Sequence, residues 1–233
     1  MKNIILLLTV VIMSASCAKQ SQQFDDPTTE ATTLVGEPEI QTATRVASEA
    51  LQAAPPTDYN YLDPQRIVPT VPLTQAINYF KANKASIANP KYITIVDMTQ
   101  KSNKKRMYVI DMVNGSVGTY LVAHGKNSDP NNDGYAEKFS NTDGSLMSSL
   151  GFYLTDVTYQ GSKGLSLRLR GLQSTNSNAY SRAIVMHGAD YVSASGVGRS
   201  WGCPAIERKY VNTLIPALKG RSLLYIYKAA TTK

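Results

Sequence analysis

Thiols, imidazoles, indoles and phenyl rings are scarce in this chain of 233 residues, which holds two cysteines, two histidines, one tryptophan and four phenylalanines, its aromatic rings being mostly its 14 tyrosines. Beyond the N-terminal segment the soft metal ligands are His124, His187 and Cys203, with no Cys-x-x-Cys spacing. That excludes a zinc or iron–sulfur centre of the usual kind. The stretch "DPNNDGYAEKFS" (129–140) begins like a calcium loop, with Asp129, Asn131, Asp133 and Gly134, but Ser140 stands where the twelfth-position Glu belongs. We therefore expect no metal and no cofactor. Long apolar runs are missing too: Ile4 to Met13 is too short to cross a bilayer. No internal repeat is visible.

The N-terminus "MKNIILLLTVVIMSASC" joins a charged start, a short apolar core and small residues, the pattern of a secretory signal over 1–17. Its end, Ser14-Ala15-Ser16-Cys17, resembles a bacterial lipoprotein lipobox, with Ser14 where leucine is usual. The resemblance implies a lipid on Cys17, a membrane anchor and a cell-envelope location, with plain secretion as the alternative. If Cys17 is acylated, Cys203 has no disulfide partner, and a lone thiol in an oxidising compartment needs a reason. Residues 18–70 are rich in Thr, Gln, Ala and Pro, net −5, and read as a flexible tether. From Tyr61 onward the chain carries 21 basic and 10 acidic residues. The overall +7 and pI near 9.3 thus belong to the folded part. Charge alone would suggest nucleic acid, but export conflicts with that, and acidic peptides fit the charge equally well.

The folded part is expected over 71–233. In "VPLTQAINYFKANKASIANP" the apolar residues Leu73, Ala76, Ile77, Phe80 and Ile87 recur at helical spacing, with Pro72 in the first turn and Pro90 as the stop. The period then changes. "YITIVDM", "RMYVIDMV" and "SVGTYLVAH" read as strands, and Asn114-Gly115 between the last two signals a two-residue hairpin. "SLGFYLT", "GLSLRLRG", "AIVMHG" and "SLLYIY" supply more strands. "YVNTLIPALK" (210–219) is helical in pattern, bent or shortened at Pro216. Many short strands with a few peripheral helices predict a mostly-β sandwich or open barrel. Two long polar loops, 125–147 and 188–200, each follow a His-Gly pair at a strand end, which predicts one cleft bordered by both.

A nucleophilic cysteine needs a base or a positive neighbour, because the attacking species is the thiolate. His187 precedes Cys203 by 16 residues across a Gly- and Ser-rich loop that can fold back and bring the side chains together. Gly202 lets backbone N–H groups approach a developing oxyanion. The bland alternative is a buried, inert cysteine. Spacing alone leaves His124 open as the base.

"HG" at 187–188 followed by "SWGCP" at 200–204 resembles the signature of the L,D-transpeptidase (YkuD-like) catalytic domain. The segments "SRAIVMHGADYV", "GVGRSWGCPAIE", "SSLGFYLT", "GLSLRLRGLQ" and "AHGKNSD…KFSNTDGS" look like its murein L,D-transpeptidase branch, from about Tyr92 to Tyr227. The resemblance implies a mostly-β, L,D-transpeptidase-like sandwich or open barrel. It implies that Cys203 attacks the carbonyl of the third residue of a peptidoglycan stem peptide, expelling D-alanine and leaving a thioester. His187 would take the thiol proton and later activate an acceptor amine, or water. It further implies that the Gly188 carbonyl orients the imidazole, that Ser200 fixes the loop, and that the N–H groups of Gly202 and Cys203 face the oxyanion. Trp201 departs from branches with a second His at that position, so a mechanism needing two adjacent histidines is not expected.

Substrate contacts are expected from His124, from Arg199 as a guanidinium for stem carboxylates, and from Trp201. Arg168 and Arg170 alternate on one strand face and read as surface. Carboxypeptidase trimming or hydrolysis of peptidoglycan-linked bonds would use the same thioester, and an inactive wall-binding module is the rival from another class.

Overall fold

The computed structural model describes residues 57–230, so Cys17, the signal and the tether up to residue 56 lie outside the described residues, while 57–70 is ordered against the domain with Leu62 and Val68 buried. A short 3-10 turn, Thr57–Tyr59, precedes helix α1, Thr70–Ala82. The spacing of Ala76, Ile77 and Phe80 buries one face of α1, and Pro72 falls in its first turn where a missing N–H costs nothing. The helix ends earlier than the apolar pattern suggested. Asn83 follows it, donating its backbone N–H and its side-chain amide to the Tyr79 carbonyl, and a 3-10 turn, Lys84–Ser86, carries the chain on to Ile87.

Eleven strands follow: β1 Tyr92–Asp97, β2 Met107–Asp111, β3 Val117–Tyr120, β4 Val122–Ala123, β5 Gly151–Gly161, β6 Gly164–Gly171, β7 Val185–Ala189, β8 Val192–Ser193, β9 Gly196–Val197, β10 Ala205–Glu207 and β11 Leu223–Tyr227. Helix α2, Val211–Leu218, lies between the last two and contains Pro216. Nine strands form one sheet in the order β3-β2-β1-β11-β5-β6-β7-β10-β4, and β8-β9 form a separate hairpin. β1–β11 and β7–β10 pair in parallel, and the other pairs are antiparallel. The fold is mostly β, as the strand pattern predicted. Its outer strands, β3 and β4, are consecutive in the chain with only Leu121 between them. One residue cannot cross a flat nine-stranded sheet whose strands lie about 4.8 Å apart, so the sheet curls into a nearly closed barrel.

Alternation along the strands makes two large cores, beside a small cluster of Leu121, Ala123, Ala189, Val192 and Ala205. Inward residues of the curl, among them Met107, Tyr153, Leu167, Leu169, Met186 and Ile206, pack against Leu214, Ile215 and Leu218 of α2. On the opposite face α1 covers Ile93, Ile95, Ile110, Phe152 and Leu223. There Tyr79, Phe152 and Tyr225 stack in sequence, with ring centroids 3.9 and 4.1 Å apart. Each such pair adds about 0.5–1.5 kcal/mol beyond area burial.

Two local expectations change. "SVGTYLVAH" is not one strand: it breaks at Leu121 because its halves belong to opposite edges of the sheet. The Asn114-Gly115 link is also longer than two residues. The Asp111 carboxylate accepts the N–H groups of Val113 and Asn114, and the Asp111 N–H donates to the Ser116 carbonyl, closing a wider turn. Gly115 is required there at φ +79, beneath the Tyr61 carbonyl.

Candidate active site

β7 lies between β6 and β10, and its alternation decides which residues face out. Met186 enters the core, so Val185, His187 and Ala189 point to the other side. His187 is in register with Ser166 of β6 and with Ala205 of β10. Cys203 stands two residues before Ala205, at the entry to β10. A cavity of about 400 Å³ opens over this register and includes both His187 and Cys203. Its other walls are Ala183 and Val185 of the β7 approach, Tyr191, Arg199, Ser200 and Trp201 of the following loop, and the β5–β6 hairpin tip with Tyr159, Lys163 and Ser166.

The imidazole of His187 is buried and its Nδ1 lies 3.0 Å from the Gly188 carbonyl oxygen. A carbonyl only accepts, so Nδ1 carries the proton and the neutral ring keeps its lone pair on Nε2. Burial holds the pKa of His187 below its ordinary value, and the charges of Lys163 and Arg208 push it the same way, against the opposing bond to Gly188. Neutral imidazole is therefore the resting form near neutrality.

Cys203 is half-buried and free of any disulfide. Its Sγ accepts the Val185 N–H at 3.5 Å and lies 3.8 Å from the Ala183 carbonyl oxygen. Burial pushes the Cys203 thiol up, while the Val185 N–H and the charge of Arg182 pull it partly back. The pair at rest is thus thiol and imidazole rather than thiolate and imidazolium.

The loop carrying Cys203 is held by the hydroxyls of Ser200 and Ser148. Ser200 Oγ donates to the Cys203 carbonyl at 2.7 Å and accepts the Gly202 N–H at 3.1 Å. Gly202 adopts φ +126, where a Cβ would stand 2.7 Å from the Met147 carbonyl oxygen, so only glycine fits without a shift. Its own carbonyl accepts from Ser148 Oγ at 3.1 Å. With the Gly202 N–H committed to Ser200, the Cys203 N–H has no acceptor among the described residues, and the same holds for the N–H groups of Arg199 and Trp201 before it.

Not every expected residue reaches the cavity. His124 is fully buried and does not line it. Its Nδ1 accepts from Arg106 Nη2 at 2.8 Å, and its Nε2–H donates to Asp129 Oδ2 at 3.3 Å. Burial and the Arg106 charge push its pKa down to about 4, against the pull of Asp129. Arg199 does line the cavity, but its Nη1 donates to the backbone carbonyls of Asp129, at 2.5 Å, and Lys126. Trp201 stands at the rim, 77% exposed.

The loop 125–147 does not border the cleft either. It lies against the Cys203 loop, where Lys126 N–H donates to the Ser200 carbonyl, and Arg182 holds the carbonyls of Ser140 and Met147. The carboxylate of Asp129 in that loop accepts the N–H groups of Asp133 and Gly134, and no group of three or more metal-ligating side chains occurs among the described residues. The wall facing the Cys203 loop comes from the β5–β6 hairpin instead. Sequence reasoning missed Tyr159, Lys163 and Ser166. The turn signal "GSKG" marks a hairpin tip, but nothing in its period tells which loop that tip will overhang.

The family model of the L,D-transpeptidase catalytic domain matches residues 65–227. No curated protein matches the chain. Among solved structures, an L,D-transpeptidase from Mycobacterium smegmatis is 9% identical with a TM-score of 0.37, over 59% of this chain and 58% of that one. L,D-transpeptidase 3 from Mycobacterium tuberculosis is 10% identical with a TM-score of 0.39, over 59% and 61%. The helical cell shape determining protein Pgp2 from Campylobacter jejuni is 10% identical with a TM-score of 0.38, over 65% and 55%. The chain therefore covers less than two thirds of the length of these proteins. The family match spans most of the described residues, including β7, the Cys203 loop and both helices, and by it this chain belongs to the L,D-transpeptidase catalytic-domain family.

Proposed function

We propose that this chain is a peptidoglycan-remodelling cysteine acyltransferase, an L,D-transpeptidase that works through a Cys203 thioester. One observation carries the reading: Cys203 and His187 line one cavity, and the Gly188 carbonyl fixes the imidazole in the tautomer whose Nε2 can take a proton. Since both groups are neutral at rest, His187 acts as a general base in step with attack, rather than as half of a preformed ion pair.

The thiol sulfur attacks the acyl carbonyl of a stem peptide as its proton passes to Nε2. The Cys203 N–H, which has no acceptor of its own, is the amide we assign to the developing oxyanion. The imidazolium then protonates the departing D-alanine amine, leaving the thioester. An acceptor amine, or water, loses its proton to His187 as it attacks, and the thiol is regenerated. The cationic Lys163 and Arg199 on the cavity wall favour the carboxylates of stem peptides. Cys17 is the residue we propose to carry lipid, holding the enzyme in the cell envelope.

The test is acylation. A carbapenem should add one covalent mass to the wild-type chain and none to Cys203→Ala, and defined tetrapeptide muropeptides should give cross-linked or trimmed products by mass spectrometry. An undiminished adduct on Cys203→Ala would overturn the reading. Palmitate labelling lost in Cys17→Ser tests the anchor separately.

A further inference from the structure

The outward face of β6 continues past the cavity. Its sequence "SLRLRG" sends Leu167 and Leu169 into the core, which puts Ser166, Arg168 and Arg170 on the other side. Register fixes that side as the one carrying His187: Ser166 pairs with His187 and Arg168 with Val185. On the neighbouring strand Tyr159 pairs with Ser166 and lines the cavity.

From Tyr159 a ladder of alternating rings and guanidinium groups leads away. Arg168 stands 4.5 Å from the centroid of Tyr159 and 5.5 Å from that of Tyr180. Arg170 stands 4.3 Å from the Tyr180 centroid, and its Nε binds Asp156 at 2.6 Å. The two arginines differ in what remains open. Arg170 is paired with a carboxylate, whereas among the described residues Arg168 has neither a carboxylate partner nor a hydrogen bond from its guanidinium. Arg168 lies against two tyrosine rings with its guanidinium N–H donors free of protein acceptors among the described residues, the chemistry that takes a carboxylate in a bidentate fork.

We propose that this Tyr159–Arg168–Tyr180 ladder is an extended binding track for polymeric peptidoglycan, with Arg168 taking a stem-peptide carboxylate outside the reacting stem. It rests on the proposed function for the identity of the polymer. Two observations single out that occupant: the ladder shares Tyr159 with the cavity that would hold the reacting stem, and its open group is cationic in a domain of strong positive charge. An acidic polymer fed through the cavity would meet Arg168 next.

The experiment measures retention of the full chain on insoluble peptidoglycan sacculi, with carbapenem acylation of Cys203 as a parallel readout. Neither Arg168 nor Tyr180 lines the cavity or touches Cys203, and the Arg168 guanidinium meets the cavity wall at Tyr159. Arg168→Gln and Tyr180→Ala should each lower sacculus affinity about 5- to 20-fold, roughly one charge-assisted contact, with acylation rates within about twofold of wild type. Sacculi whose carboxylates have been converted to amides should bind wild type and Arg168→Gln alike. Equal binding of wild type and both variants to untreated sacculi overturns the track, and does so without touching the Cys203 chemistry if the adduct still forms. A wild-type chain that binds sacculi but forms no adduct overturns the proposed function instead. Should Tyr180→Ala prove misfolded by circular dichroism, Arg168→Gln alone decides, because its side chain is replaced by one that stays polar and similar in reach.

Discussion

His124 and His187 share the same local sequence, a histidine followed by glycine, with His124 just after β4 and His187 within β7, the two strands that flank β10. Their surroundings are opposite. At His187 the proton sits on Nδ1, tied to a backbone carbonyl, and Nε2 keeps its lone pair in a ring that lines the cavity. At His124 the lone pair on Nδ1 is consumed by Arg106 and the Nε2 proton by Asp129, with no surface left to water. Both pKa values are depressed by burial, so depression alone does not mark a base. What separates the two is whether a nitrogen with a free lone pair faces a space where a proton can arrive.

The largest way to break the comparison is at His187. His187→Ala should slow carbapenem acylation of Cys203 by about 10²–10⁴-fold, the usual cost of losing a general base. In the wild type the rate should fall on acidification only below about pH 6.5, as the depressed imidazole finally protonates. A preformed thiolate would keep its rate well into the acid range, so a flat acid limb would contradict the neutral-pair assignment.

Ser200→Ala joins the two regions, because Ser200 Oγ holds the Cys203 carbonyl and the Gly202 N–H while the Ser200 N–H donates to the His124 carbonyl. Losing the hydroxyl should slow acylation by about 10–100-fold, in line with one or two buried hydrogen bonds. Stopped-flow mixing with the carbapenem reads it.

His124→Ala should act on stability instead. It leaves Arg106 and Asp129 without their shared partner, a loss of about 1–3 kcal/mol, or roughly 3–10 °C in melting temperature for a domain of this size. The linkage sign is definite. Because the folded pKa of about 4 lies below the unfolded value near 6.5, the unfolded chain binds the proton first. Stability is complete above about pH 6.5 and is lost progressively down to about 4, by on the order of 3 kcal/mol. Thermal melts across that window should show the loss in wild type and a flatter profile in His124→Ala.

The smallest effect belongs to Trp201. At 77% exposure its side chain adds little to the fold, so Trp201→Ala should leave stability within about 0.5 kcal/mol. Its place at the cavity rim predicts a rise in KM for muropeptide with kcat nearly unchanged.

The strands of the fold are legible in the residues because alternation and β-branched runs report local burial. "GLSLRLRG" and "SLLYIY" both became strands close to where the period put them. What the period does not report is which edge a strand joins, and so "SVGTYLVAH" reads as one strand although Leu121 divides it between two edges. The loop 188–200 likewise holds the β8–β9 hairpin, whose two-residue strands are too short to give a pattern. At the site, Cys203 and His187 stand out by their chemistry and spacing. The tie from His187 to Gly188 and the sinking of His124 depend on a register between β4, β10 and β7 that no single segment encodes. Arg106 shows why: it is fully buried and arrives from β2's edge to claim His124, with its own pKa lowered by burial to about 10, and a lone arginine before a strand gives no hint of that.

The central claim is that His187, and not its sequence twin, moves the proton of Cys203. The most direct test is the pH profile of carbapenem acylation for wild type, His187→Ala and His124→Ala, each shown to be folded at every pH used. The account predicts that His187→Ala loses about 10²-fold or more near neutrality, together with the wild-type acid limb, while His124→Ala keeps both the limb and a rate within a few-fold of wild type. If His124→Ala abolishes the limb and His187→Ala retains it, the base has been assigned to the wrong histidine.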